Sequence, residues 1–263
     1  MSKLACITLD LEPDHAGRIK AFPIKWKKQQ IVQLLLLLQK YHVKLSIFVV
    51  ASLLEQHSEV VYVFDKFGAE FHLHSYSHSV TAPDSEYEIL RGVKAFYNRF
   101  KYQPLGYRAP EGRISHSGMV LLKKHGFLFD SSVFPSFWPN VKYLFYPTGE
   151  YKNALEIIEI PNTVVSPFRL IFSLSWIKLF GWSFYQKLIS RYGLPGRVVF
   201  GYHLHDLWTS SVFDRLPFFW KKIYQKNQSS GLDYLENVLR LLSSRGYKFT
   251  TLGSIAKQLD RTP

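Results

Sequence analysis

The sequence predicts an α/β chain whose strands run parallel and close into a β/α barrel. Short, near-continuous apolar runs alternate with segments of helical periodicity, the pattern of a parallel sheet covered by helices. No G-x-G-x-x-G follows the first strand and no Walker motif occurs, so an open nucleotide-binding sheet lacks its signature. Polar residues recur where strands end: Asp10 and Glu12, His74 and His78, Arg108, Asp130, His203 and His205. In a barrel those ends meet on one rim, where active sites lie.

In chain order, LACITLD (4–10) reads as a buried strand that ends on an acid. Residues 26–42 form a helix with a broad apolar face, and 44–51 and 68–74 are the next two strands. Asp84 is placed to cap a helix whose apolar positions Leu90, Val93, Phe96, Tyr97 and Phe100 recur every three or four residues. GYRAP (106–110) is strand to loop, and Ser115 or Ser117 caps a short helix that Gly126 ends. Residues 127–132, 155–161 and 198–206 are further strands. A final helix covers 231–247, followed by KFTTL (248–252). No internal repeat or low-complexity linker divides the 263 residues, which are read as one domain.

Lys and Arg total 33 against 20 Asp and Glu, a formal charge of +13 that asks for an anionic partner. The basic residues follow no nucleic-acid reading motif, so nucleic acid is not expected as a partner. One cysteine, Cys6, cannot form an internal disulfide. The opening MSKLACITLD has no apolar core of a secretion signal, and the aliphatic run Leu34 to Leu38 is too short to span a bilayer. These features predict a cytoplasmic protein.

FHLHSYSH (71–78) brings His74 and His78 to a spacing of four, which on a helical turn puts both on one face. TLDLEPDH (8–15) sets three acids at alternate positions after a strand. Two imidazoles and a carboxylate leave one position open for water, the arrangement of a catalytic divalent site.

Five short stretches in order carry a resemblance to the polysaccharide deacetylases of the NodB type: TLDLE, HSYSH (74–78), YRAPEG (107–112), FDSSVFP (129–135) and HLHDL (203–207). The ending GYKFTTLGSIAKQL (246–259) is also similar to that family's terminal strand and helix. The resemblance implies a distorted (β/α) barrel and a hydrolase that removes an acetyl or formyl group from an amino sugar. It implies one divalent ion, zinc first, with cobalt, manganese and nickel as other choices, held by Glu12, His74 and His78. Asp10 would be the general base and Arg108 would keep it ionised. The backbone N–H of Glu111 would face the oxyanion, and His203 would protonate the departing amine, with Asp130 tuning it. Asp14 stands beside Glu12 as a carboxylate ligand, and His205 beside His203 as the acid. The family's motifs usually carry adjacent aspartates where this chain has Asp10 and Glu12, and a tryptophan where it has Phe134.

The barrel does not explain residues 166–193. From Ile160 to His205 there is no Asp or Glu, while five basic residues fall there together with Phe168, Phe172, Trp176, Phe180, Trp182, Phe184 and Tyr185. Two readings stand: an insertion packed on the barrel, or an interfacial segment that meets an anionic membrane. The second, with the missing secretion signal, resembles branches of the family that act on polyprenyl-phosphate-linked sugars, peripheral on the inner membrane face. Rival readings are a deacylase of a small soluble amide and a basic binding module without turnover.

Overall fold

The computed structural model describes residues 2–13, 27–56, 58–138, 141–165, 167–208 and 211–261. The strands are β1 (Leu4–Leu11), β2 (Leu45–Val49), β3 (Glu70–Leu73), β4 (Gly106–Tyr107), β5 (Phe129–Asp130), β6 (Tyr151–Lys152), β7 (Ile158–Glu159), β8 (Val164–Val165), β9 (Leu170–Ile171), β10 (Arg197–His203) and β11 (Lys248–Phe249). The α-helices are α1 (Lys28–Lys40), α2 (Ser52–Gln56), α3 (Ser58–Phe67), α4 (Glu86–Phe100), α5 (His116–Lys124), α6 (Leu174–Phe180), α7 (Trp182–Tyr192), α8 (Leu204–Leu207), α9 (Phe218–Gln225), α10 (Gly231–Ser244) and α11 (Leu252–Asp260).

The main sheet runs β10-β1-β2-β3-β4-β5-β7-β6, with β11 also paired to β1. Its pairs are parallel except β6 with β7. The gap between the chain after β7 and β10 is bridged at Thr163 and, further along, by a parallel bridge of Ser173 with Gly201. Thr163 N–H donates to the Val199 carbonyl (3.1 Å), and Val199 N–H donates to Thr163 Oγ1 (2.8 Å). A closure by isolated contacts in place of a continuous strand ladder makes the barrel distorted rather than regular.

Strand alternation divides the residues between two cores. Ala5, Ile7, Leu9 and Leu11, with Leu45, Ile47, Val49, Phe71, Leu73, Val198, Phe200 and Tyr202, face outward into the layer shared with the helices. Cys6, Phe48, Phe129, Ile158, Ile160 and Val199 face the lumen, where Leu252, Ile255 and Ala256 of α11 plug the lower end. Glu70 fastens this plug by accepting from Gly253 N–H (3.0 Å) and His72 Nε2–H (2.9 Å). His72 is therefore spent on the floor and takes no part at the rim. By the same parity, Asp10, Glu12, His74, Arg108 and His203 continue the lumen-facing rows above the apolar floor.

Three local expectations are corrected. The cap of α4 is Ser85, whose side chain accepts from Glu88 N–H, whereas Asp84 accepts from Ser115 N–H (2.5 Å). The buried face of α4 is Ile89, Gly92, Ala95 and Phe96; of the predicted stripe Phe96 is buried and Val93 and Phe100 pack partly against the core, while Leu90 and Tyr97 are exposed. His74 and His78 lie on a loop, not a helical turn. Ser75 and His78 adopt positive φ (62° and 61°), and Glu88 pins the loop by accepting from Tyr76 N–H, Ser77 N–H and the Ser77 hydroxyl.

Within residues 167–193, β9, α6 and α7 pack on the barrel through Phe172, Leu174, Ile177, Tyr185, Leu188 and Ile189. Three of the five cations in the acid-free stretch are used internally. Arg169 donates to the Tyr146 carbonyl, Lys178 is buried, and Arg197 pairs with Glu150. Among the described residues, no helix is long and apolar enough to cross a membrane.

Gly106 shows how tightly the lumen is filled, because a Cβ there would run into the Phe129 ring. Gly106→Ala should cost about 1–3 kcal/mol of stability by urea denaturation. Phe129→Leu should recover part of that loss in the double variant, and additive effects would show that the two positions do not meet.

Candidate active site

Arg108 organises the upper lumen. It is 1% exposed, and its guanidinium stacks on Phe48 at 4.1 Å. Nη1 donates to Asp10 Oδ1 (2.7 Å) and Thr8 Oγ1 (3.0 Å), while Nε and Nη2 donate to the carbonyl and hydroxyl of Ser131. The fork of donors thus fixes the position of Asp10. The Arg108 carbonyl has a second use: it accepts from His74 Nδ1–H at 2.6 Å. A carbonyl can only accept, so the proton sits on Nδ1 and Nε2 presents its lone pair to the cavity.

That lone pair faces Glu12. The Glu12 Oε1 atom lies 3.6 Å from His74 Nε2, 3.4 Å from His78 Nε2 and 3.3 Å from His203 Nε2. Burial alone would raise the Glu12 pKa, but His78 and His203 outweigh it and hold the carboxyl well below the usual range. Glu12 Oε2 is buried and has no hydrogen-bond partner among the described residues. Glu12, His74 and His78 offer one ligand atom each within 4.8 Å of one another. A hard oxygen with two imidazoles suits zinc or a similar first-row divalent ion.

His203 joins the cluster from the end of β10. Its Nδ1–H donates to Asp206 Oδ2 (3.1 Å), and Nε2 stands 3.8 Å from Asp10 Oδ2. Burial would lower its pKa, yet Glu12 and Asp206 reverse the sign and raise it well above the ordinary value. Asp206 is itself held by the Ser175 hydroxyl (2.8 Å) and by Lys178 Nζ at 3.7 Å. Lys178 is 2% exposed and also donates to Gln228 Oε1 and to the Tyr224 carbonyl.

The remaining expectations meet mixed outcomes. Asp130 does not reach His203. Phe129 on β5 and Ser131 just after it face the lumen, so Asp130 points the other way, beside Glu159 on β7, and the carboxylate against His203 is Asp206. His205 stacks flat on His203 (4.5 Å, 12°), one ring further from Asp10 and Glu12. Glu111 lies in the cavity wall with φ 52°, its side chain turned to Arg113 (2.9 Å). Asp14 lies outside the described residues. Asp206 and Lys178 are the residues that sequence reasoning missed. The i, i+3 spacing of His203 and Asp206 within HLHD was the available signal for the first.

These groups open into a cavity of about 260 Å³ walled by Phe134, Trp138, Asn162, Trp176, Trp220 and Tyr224. Residues 3–129 match the family model for polysaccharide deacetylases, a span that contains Asp10, Glu12, His74, His78, Arg108 and Glu111. That segment, just under half of the chain, is similar to the polysaccharide deacetylase domain. The match ends before Asp130, His203 and His205. A peptidoglycan deacetylase of Helicobacter pylori is 34% identical over 107 residues, 39% of this chain and 36% of that protein. Among solved structures, a chain assigned as a polysaccharide deacetylase from Mycobacterium smegmatis superposes with a TM-score of 0.64. It is 17% identical, with 98% of this chain and 91% of that one covered. An allantoinase superposes with a TM-score of 0.61 at 14% identity, covering 99% and 91%. At such identities the likeness establishes the fold, a distorted (β/α) barrel, and not the reaction.

The Asp130–Glu159 pair gives a test of the buried electrostatics. Burial, and then the Asp130 carboxylate, push Glu159 well above the usual carboxylate range, and burial also raises Asp130. The folded chain therefore holds a proton that the unfolded chain releases above about pH 4.3. The stability it contributes is fully present below that pH and is lost as pH rises through the folded value. Glu159→Gln keeps a neutral group at every pH. From pH 5 to 8 the wild type should lose stability relative to this variant, by up to about 1.4 kcal/mol per pH unit. Urea midpoints that run parallel for the two proteins would show an ionised pair instead.

Proposed function

We propose that the chain is a metal-dependent hydrolase that removes an acetyl or formyl group from the nitrogen of an amino sugar, with a lipid-linked sugar as the substrate form. The observation that carries this reading is Glu12 Oε1 set among the Nε2 atoms of His74, His78 and His203, with the Arg108-bound Asp10 beside them. Glu12, His74 and His78 would hold the divalent ion, which when bound supplies Lewis acidity toward water and the acyl carbonyl.

The chain's own groups account for the proton movements. Asp10, with one oxygen occupied by Arg108, keeps Oδ2 available to take the proton from the attacking water. The Glu111 backbone N–H, in the cavity wall, would stabilise the oxyanion of the tetrahedral intermediate. The C–N bond breaks only if the nitrogen leaves as an amine, so a proton must reach it. His203 carries that proton on Nε2, its ring oriented by the Nδ1–H bond to Asp206. Aromatic walls at Trp138, Trp176 and Trp220 suit the apolar face of a sugar ring.

Elemental analysis of purified protein, with assays for released acetate and formate, tests the reading. One divalent ion per chain is expected. His74→Ala or His78→Ala should lose it, since two protein ligands are too few to retain it. Asp10→Asn should keep the ion and lose about 10²–10⁴ in turnover, because the water has no proton acceptor. Stoichiometric metal in the His74→Ala, His78→Ala double variant would overturn the ligand assignment.

A further inference from the structure

The cavity mouth is surrounded by exposed aromatic side chains that no part of the chemistry uses. From Trp176 in the cavity wall a continuous run of ring contacts leads outward. Phe137 meets Trp176 edge-on at 5.8 Å, Phe180 stacks on Trp176 at 5.7 Å, and Phe184 stacks on Phe180 at 5.5 Å. Across the mouth, α9 supplies Trp220 to the wall and leaves its neighbours Phe218 and Phe219 72% and 66% exposed. Rings of this size in one contiguous zone are uncommon on a surface that meets only water.

The cations that accompany them fall on the same helix faces. On α7, Phe184, Lys187 and Arg191 are spaced i, i+3 and i+7 and are all exposed. On α9, Lys222 lies over the Phe218 ring at 4.4 Å, one turn along. No acid occurs between Ile160 and His205 to oppose an anionic surface. Apolar rings with Lys and Arg behind them, on short helices that cannot span, are the pattern of a surface that inserts shallowly between anionic headgroups.

We propose that this rim, formed by Phe137, Phe180, Phe184, Phe218 and Phe219 with Lys187, Arg191 and Lys222, seats the cavity mouth on an anionic lipid bilayer. The docking face is thus not the 166–193 segment alone. It is assembled from three stretches around the opening, so the cavity looks onto the membrane and takes its amino sugar from a lipid carrier. The identity of the substrate rests on the deacylase reading above; the docking itself does not.

Sedimentation of the full chain with phosphatidylcholine vesicles containing roughly one-third phosphatidylglycerol, a composition chosen to carry anionic charge, tests it. The wild type should bind these and not pure phosphatidylcholine vesicles. Reversing Lys187, Arg191 and Lys222 to Glu should weaken binding by at least roughly fivefold per cation removed at low salt. Replacing Phe180, Phe184, Phe218 and Phe219 with Ser should remove the part that survives high salt, with metal content unchanged. Control reversals at Lys3, Lys248 and Lys257, on the opposite end of the barrel, should leave most binding intact. Equal loss in the controls would mean that only net charge acts, and would overturn the proposal. So would wild-type protein that stays in the supernatant with anionic vesicles at low salt. Vesicle binding without acyl release from any amino sugar would sustain the docking face and count against the deacylase reading. Acyl release from a soluble N-acetylated oligosaccharide without vesicle binding would do the reverse.

Discussion

A buried guanidinium holds this site together. Arg108 and Asp10 sit where burying either charge alone would cost several kcal/mol, and the cost is met because nearly every donor of Arg108 has an acceptor. Its side chain sets the carboxylate proposed as the base, and its backbone carbonyl sets the tautomer of His74, a proposed ligand. One residue at the end of a two-residue strand therefore fixes two functional groups from different strands. The Phe48 face below and the Ser131 groups beside it leave the guanidinium no other orientation.

Above that pair, unlike charges offset each other in layers. Glu12 stays ionised because imidazoles surround it, His203 holds its proton because Glu12 and Asp206 face it, and Asp206 is steadied by Lys178. Away from the lumen, burial of Asp130 and Glu159 side by side outweighs the charge of Arg108, and the pair keeps a proton instead. Two acid clusters of one fold thus take opposite charge states, decided by whether neighbouring cations outweigh the cost of burial.

The parallel strands and the polar rim at their ends were legible because both follow local rules. Alternation of apolar runs marked the parallel strands, and polar residues at their ends marked the rim. What was not legible depended on geometry that no local rule contains. Asp130 was expected at His203 on motif order alone, yet strand parity turns it to the opposite face, where Glu159 waits on the neighbouring strand. The His74–His78 spacing suggested a helical turn, but Glu88 on α4, a distant acid, holds the loop in a conformation with two positive φ values. Likewise, the acid-free stretch that holds Lys178 and Arg169 fitted a packed insertion and an interfacial segment alike. Only the packed structure shows that both cations are bound inward.

Lys178 ties two mechanical parts of the molecule into one. It rises from α6, the helix that carries Trp176 and Phe180 toward the cavity mouth, and its amine ends against the carboxylate that orients His203. The same amine also grips Gln228, whose amide donates to the carbonyls of His205 and Trp208. A rigid tether of this kind leaves α6 no independent freedom. Any tilt of that helix would be passed through Asp206 to His203, the proposed proton donor, so the outer wall and the proposed chemistry behind it share a single setting.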